Sequence, residues 1–223
     1  MSPMLRVCAA MLAKDLRREL RSKEIFISGF LLSVILLCVI FFSVTASDLS
    51  FKKIGAGAIW ICILFTGTVG MNRIHQSEMI NGCYRGLILA PVEGGWLYLA
   101  KVAANVLLLG FAATLLLPLT AVAFHIPVFS NLPWLLASIY LGISAFAAIG
   151  TLVVVITANT RMKDVLFPMI QLPLVVPVLM GGVNSTAMAL KGEPPGDWIQ
   201  FLAALNVVFL SLGFLLYEFL LEE

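Results

Sequence analysis

Six stretches of this chain are long and apolar enough to cross a lipid bilayer, and that constraint governs what else it can fold into. They run from Ile25 to Val44, Ile54 to Met71, Val102 to Phe124, Trp134 to Ala158, Val165 to Val183 and Trp198 to Leu221. A span needs about 20 apolar residues, because a helix rises about 1.5 Å per residue and the hydrocarbon layer is about 30 Å thick. No water is available there to satisfy backbone N–H and C=O groups, so runs of this length are helices. Composition agrees: 61% of the 223 residues are hydrophobic and 12% charged, with a mean hydropathy of +1.05, which excludes an ordinary soluble domain. The expected fold class is an all-α integral membrane protein with six transmembrane helices.

An amphipathic interfacial helix is expected to precede the first span, over residues 1–24. Leu5, Cys8, Ala9, Leu12, Leu16 and Leu20 recur every three or four positions, while Arg6, Lys14, Arg17, Arg18, Arg21 and Lys23 occupy the other faces. Such a helix lies with its apolar stripe in the membrane and its bases toward anionic lipid headgroups. It reads either as a topology anchor or as an elbow that moves with the bundle. No small-residue cleavage site follows the first span, so that span is a retained helix rather than a removed signal peptide.

Charge fixes the expected orientation. Lys and Arg number six before the first span, three in residues 72–101 and two in 159–164, against two in 45–53, none in 125–133 and one in 184–197. Short loops rich in Lys and Arg stay on the cytoplasmic side. Both termini and the 72–101 loop are therefore expected in the cytoplasm. The spans differ in character. Gly55, Gly57, Thr66, Gly67, Thr68 and Gly70 give the second span small faces, and Ser138, Gly142 and Ala145 do the same for the fourth, which lets helices approach closely. The fifth carries Pro168, Pro173 and Pro177 and ends in Gly181 and Gly182. Interior prolines free carbonyls and bend a helix, so this span reads as a pathway helix or a kinked packing helix, with Gln171 placed to supply a missing donor.

The 72–101 loop is the one long polar interruption between spans. Ile74 to Leu89 interleaves Ile74, Met79, Ile80, Tyr84, Leu87, Ile88 and Leu89 with Gln76, Glu78, Asn81 and Arg85, which predicts a short amphipathic helix stopped at Pro91. A helix held against the membrane between two spans is something a soluble partner can push on.

The missing chemistry narrows the function further. No Asp, Glu, Lys or Arg lies in the middle of a span, which disfavours ion-coupled transport. There is no GxxxxGK[ST] phosphate cradle, no HExxH and no GxSxG, so neither nucleotide binding of that kind nor hydrolase activity is expected. Cys8, Cys38, Cys62 and Cys83 form no CxxC and suggest neither a disulfide framework nor a zinc site. A permease driven by a separate ATPase fits best.

The sequence resembles the CcmB family, heme exporter permeases of cytochrome c maturation. The resemblance lies in KDLRRELRSKE at Lys14 to Glu24, GAIWICILFTG, HQSEMINGCYRGLILAPVEGGWLYLAK and LFPMIQLPLVVPVLMGG. The family's cytoplasmic pattern F-x-x-D-x-x-D-G-x-L-x-x-L aligns with His75, Glu78, Asn81, Gly82, Tyr84 and Leu87. Gly82 and Leu87 match, Glu78 is conservative, and His75, Asn81 and Tyr84 depart.

The resemblance implies an ABC-2-type permease fold over residues 25–221, with an ATPase-coupling helix in the 72–101 loop and an acidic tail at 222–223. Glu78, Gly82, Tyr84, Arg85 and Leu87 are its expected coupling residues; Pro168, Gln171, Pro173 and Pro177 mark the pathway or kinked helix. Implied partners are a CcmA-like ATPase, CcmC-like and CcmD-like membrane subunits and a CcmE-like periplasmic heme chaperone. A second copy or another membrane subunit completes the permease; no nucleic acid is involved. The implied setting is the bacterial inner membrane. ATP acts only through the partner, and no resident cofactor, metal or catalytic residue is expected. Heme is either cargo or the ligand of a chaperone that ATP hydrolysis releases, and the lack of a tryptophan-rich heme motif favours release. His125, just before Pro127, reads as a heme-iron ligand in principle or as a polar interface residue. The alternative is a generic ABC-2-type permease for another hydrophobic or glycan substrate.

Overall fold

The computed structural model describes residues 11–14, 17, 24–46, 51–80, 94–126, 128–157, 160 and 162–222. Its ordered elements are α1 (Glu24–Ala46), α2 (Phe51–Ile80), α3 (Gly94–Phe124), a 3-10 turn (Val128–Asn131), α4 (Leu132–Thr157), α5 (Lys163–Lys191) and α6 (Gly196–Glu222). Among the described residues there is no strand, and all six helices contain a segment long and apolar enough to span a membrane. Of the proposed interfacial helix, residues 11–14 are helical and Met11 packs against the bundle core; most of the remainder lies outside the described residues.

The bundle is built around α4, which packs on α2, α3, α5 and α6. Its sequence explains why. Gly142, Ala145, Ala147, Ala148 and Gly150 keep its surface thin on several sides, so neighbouring backbones close in. The most apolar part of α4 is 67% buried, whereas that of α6 is 11% and that of α1 22%. Ile27, Leu31, Ile35, Val39 and Phe42 on α1, and Val207, Leu215 and Phe219 on α6, remain exposed. Those faces are apolar because hydrocarbon, not water, is their solvent.

Hydrogen bonds fix the peripheral helices where packing is thin. Ser33 on α1 bonds to Thr66 on α2, and Thr66 Oγ1 also donates to the Gly29 carbonyl at 3.2 Å. On α6, Asn206 Nδ2 donates to the Leu141 carbonyl of α4 at 2.9 Å. Tyr98 on α3 is fully buried, and its hydroxyl lies 3.1 Å from the Ala148 carbonyl of α4 and 3.2 Å from the Phe209 carbonyl of α6. Where α3 begins, a Cβ added to Gly94 would sit 2.7 Å from Glu218 Cα, so the two backbones touch.

Three boundaries differ from the sequence-based expectation. The second span does not stop at Met71: α2 continues unbroken to Ile80, because residues 72–80 contain neither Gly nor Pro. The third begins earlier, at Gly94. The fifth does not end at Gly181 and Gly182 but reaches Lys191. Beyond the glycine pair, Asn184 Nδ2 donates to the Met180 carbonyl at 2.8 Å and Ser185 Oγ to the Gly182 carbonyl at 3.1 Å, so the polar side chains are absorbed by the helix itself. The true stop is Gly192, at φ 84°, where the Gly192 and Glu193 amides bond back to Ala189 and Met188.

Candidate functional site

The residues singled out from sequence fall in two places. Glu78 lies in the last turns of α2, with its side chain outside the described residues; Gly82, Tyr84, Arg85 and Leu87 lie wholly outside them. Pro168, Gln171, Pro173 and Pro177 all lie within α5, which runs without interruption past each proline.

The α5 residues do not form a single lining. Successive helical residues turn by about 100°, so Gln171 and Pro173 point to nearly opposite sides. Burial agrees: Gln171 is 0% exposed, while Pro173 and the flanking Met169 and Val176 face outward. The expectation that Gln171 donates to a proline-freed carbonyl is not met. Pro173 frees the carbonyl of Met169, on the side Gln171 does not face, and neither Gln171 Nε2 nor Oε1 has a hydrogen-bond partner among the described residues.

Gln171 instead enters a seam where α2, α4 and α5 meet. A Cβ added at Gly150 on α4 would lie 3.0 Å from Gln171 Nε2 and 3.3 Å from Met71 Cε, with the Met71 sulfur closer still. The amide and the thioether therefore rest together on bare α4 backbone. Thr68, one turn from Met71 on α2, also has an unpartnered hydroxyl.

The same three helices meet at a second level, eleven residues away on both α2 and α5. There the Trp60 indole fills a slot between Gly142 of α4 and Gly182 of α5; an added Cβ would come within 2.8 Å of Trp60 Cζ2 from Gly142 and 2.7 Å of Cη2 from Gly182. Trp60 Nε1 donates to Thr186 Oγ1 at 3.0 Å. The α2–α4–α5 seam thus has one level closed by a rigid ring and a satisfied hydrogen bond. The other is closed by a flexible thioether beside an unsatisfied amide. Sequence reasoning placed Gly142 on a close-packing face. It missed Thr186, Gly150 and Met71, whose roles depend on contacts distant in the chain.

His125 ends α3 with φ 51° and its side chain is exposed. The Ile126 amide bonds back to the Ala121 carbonyl at 3.2 Å, and buried Ile126 covers Gly55 of α2. The histidine thus sits at a helix-terminating turn.

Six membrane-length helices, four of them packed on the thin α4 and enclosing the seam, define a polytopic membrane protein. A sequence model of the CcmB protein family matches residues 6–217, and the chain belongs to that family. It is similar to heme exporter protein B of Paracoccus denitrificans (strain Pd 1222), with 27% identity over 92% of this chain and 93% of the relative. Heme exporter protein B of Pseudomonas aeruginosa (strain PAO1) is 25% identical over 94% of this chain and 93% of its own. That of Rhodobacter capsulatus is 28% identical over 82% and 84%. The family is a permease subunit of an ABC transporter and not itself an ATPase.

Proposed function

We propose that this chain is the membrane permease subunit of an ABC-type system for cytochrome c maturation, converting ATP hydrolysis by a separate subunit into heme export or into release of a heme-loaded chaperone. The observation that carries the reading is the match to the CcmB family over residues 6–217, together with six membrane-length helices in that range. The relatives' name, heme exporter protein B, supplies the cargo class. Heme here is substrate or chaperone ligand, not a resident cofactor.

In this reading the chain sits in the bacterial inner membrane with both termini and the 72–101 loop in the cytoplasm, as the distribution of Lys and Arg favours. A CcmA-like ATPase meets the loop through Glu78, Gly82, Tyr84, Arg85 and Leu87. CcmC-like and CcmD-like subunits and a CcmE-like chaperone complete the system, and a second copy or another membrane subunit completes the permease. Continuity of α2 to Ile80 supports a mechanical route from that loop into the membrane, because a helix without a break transmits displacement along its axis.

A heme stain of denatured membrane proteins from cells lacking this chain, with b-type cytochromes followed by absorbance, tests the reading. Loss of covalently heme-bearing bands with b-type signals retained is expected. Unchanged c-type bands, in a cell with no second copy, would favour a generic ABC-2-type permease for another hydrophobic or glycan substrate.

A further inference from the structure

We infer that Gln171 is the polar contact of a cleft that opens between α2 and the α4–α5 pair, hinged at Trp60 and closed in this structure by Met71. The inference rests on the permease reading, but its geometry stands apart from the identity of the cargo. Along the seam, α2 is held unequally. At Trp60 it is fixed by the glycine slot and the 3.0 Å bond to Thr186. Eleven residues on, about 16 Å along the helix and one turn beyond Gly67, on which the Phe146 ring of α4 rests, the end of the Met71 side chain lies on Gly150 beside the Gln171 amide. A methionine with three rotatable bonds seals such a contact without locking it.

The buried amide gives the opening a purpose. A primary amide offers two donors and an acceptor, and a buried side chain that uses none of them holds the closed packing at a cost. Swinging α2 about Trp60 lifts Met71 off Gly150, with Gly67 leaving the Phe146 ring, and exposes the amide; Thr68 on α2 carries a second unpartnered hydroxyl. At Met71, Gly150 and Gln171 the opened cleft offers an amide and no charge. It therefore suits an amphiphile that presents a hydrogen-bonding edge. The continuous α2, leading to Ile80, is the element that moves.

Two measurements test this. Gln171→Met keeps the volume and removes the unpartnered amide, so the purified variant should gain a few degrees in Tm while failing to restore c-type cytochromes in a deletion strain that the wild-type copy restores. A lower Tm would mean that the amide is partnered, and a higher Tm with full restoration would mean that it contacts nothing that matters; either overturns the inference. Separately, in membranes holding the assembled complex and ATP, with the four natural cysteines replaced by alanine, Met71→Cys should react with a maleimide several-fold faster than Ser185→Cys, a buried position on α5 whose hydroxyl bonds within its own helix. Equal protection of the two positions overturns the hinge. Failure of wild-type restoration would instead count against the cytochrome reading, so the two failures are distinguishable.

Discussion

Trp60 and Thr186 lie 126 positions apart in the chain and share a buried 3.0 Å hydrogen bond, indole N–H to hydroxyl, that ties α2 to the far half of α5. The two partners are not equivalent. Thr186→Val leaves a buried indole N–H with nothing to donate to, which costs about 1–3 kcal/mol. Trp60→Phe removes the donor and frees a hydroxyl that can turn to its own helix, but it also shrinks the ring that fills the glycine slot, so its cost includes a cavity as well as the lost bond. Equilibrium unfolding in mixed micelles measures the coupling. The double variant should lose less than the sum of the two single variants, because the shared bond is lost only once.

The glycine slot makes the opposite kind of prediction. Gly182→Ala puts a methyl group into the Trp60 ring, which has no room to retreat because Gly142 lies against it as well. Overpacking of this sort costs about 1–3 kcal/mol. Combining Gly182→Ala with Trp60→Leu should recover part of the loss. A combination that is simply additive would show that the collision is absent.

Tyr98→Phe tests how α6 is retained. The hydroxyl reaches carbonyls on both α4 and α6, and α6 has the least buried surface of the six helices. Loss of the bond should lower Tm by a few degrees and increase proteolysis near Glu218 in detergent. Unchanged protection there would mean that Asn206 and the glycine contacts hold α6 by themselves.

At the end of α5, Gly192 adopts φ 84°. Gly192→Ala should cost about 1–2 kcal/mol, the penalty of a Cβ in the left-handed region. Gly192→Asn should cost less, because asparagine tolerates that region. Thermal unfolding of the pair checks the ranking, and equal losses would locate the effect outside the backbone.

A fifth test concerns the loop. Gly82→Trp should uncouple the ATPase partner while leaving membrane insertion intact, read as loss of permease-dependent ATP hydrolysis in the assembled complex. Normal co-purification with normal hydrolysis would remove Gly82 from the coupling surface.

Much of this architecture is written in local sequence, and the parts that are not share a cause. Six spans follow from apolar length alone, and the close-packing role of Gly142 follows from its small neighbours. The end of α5 was misplaced because Gly181 and Gly182 look like a stop when their partners are unknown. Gly182 lies against Trp60 and Gly181 beside Leu202, so their missing side chains serve packing rather than a turn. Gln171 was misjudged for the same reason: proximity to prolines in sequence is not proximity in space, since two residues' separation turns a helix by about 200°. The expected coupling residues from Gly82 to Leu87 lie outside the described residues, so their assignment still rests on the family pattern.

The contact between Gly94 and Glu218 bears on how the 72–101 loop can be re-engineered. Most of the glycine slots in this bundle are filled by side chains, which repacking can accommodate, but at Gly94 the nearest atom is the α carbon of Glu218. A main-chain atom cannot be repacked by changing a rotamer. For anyone grafting a new docking sequence onto this face, position 94 is where freedom of choice ends, because a larger residue there would push the last turns of α6 away and change the surface being redesigned.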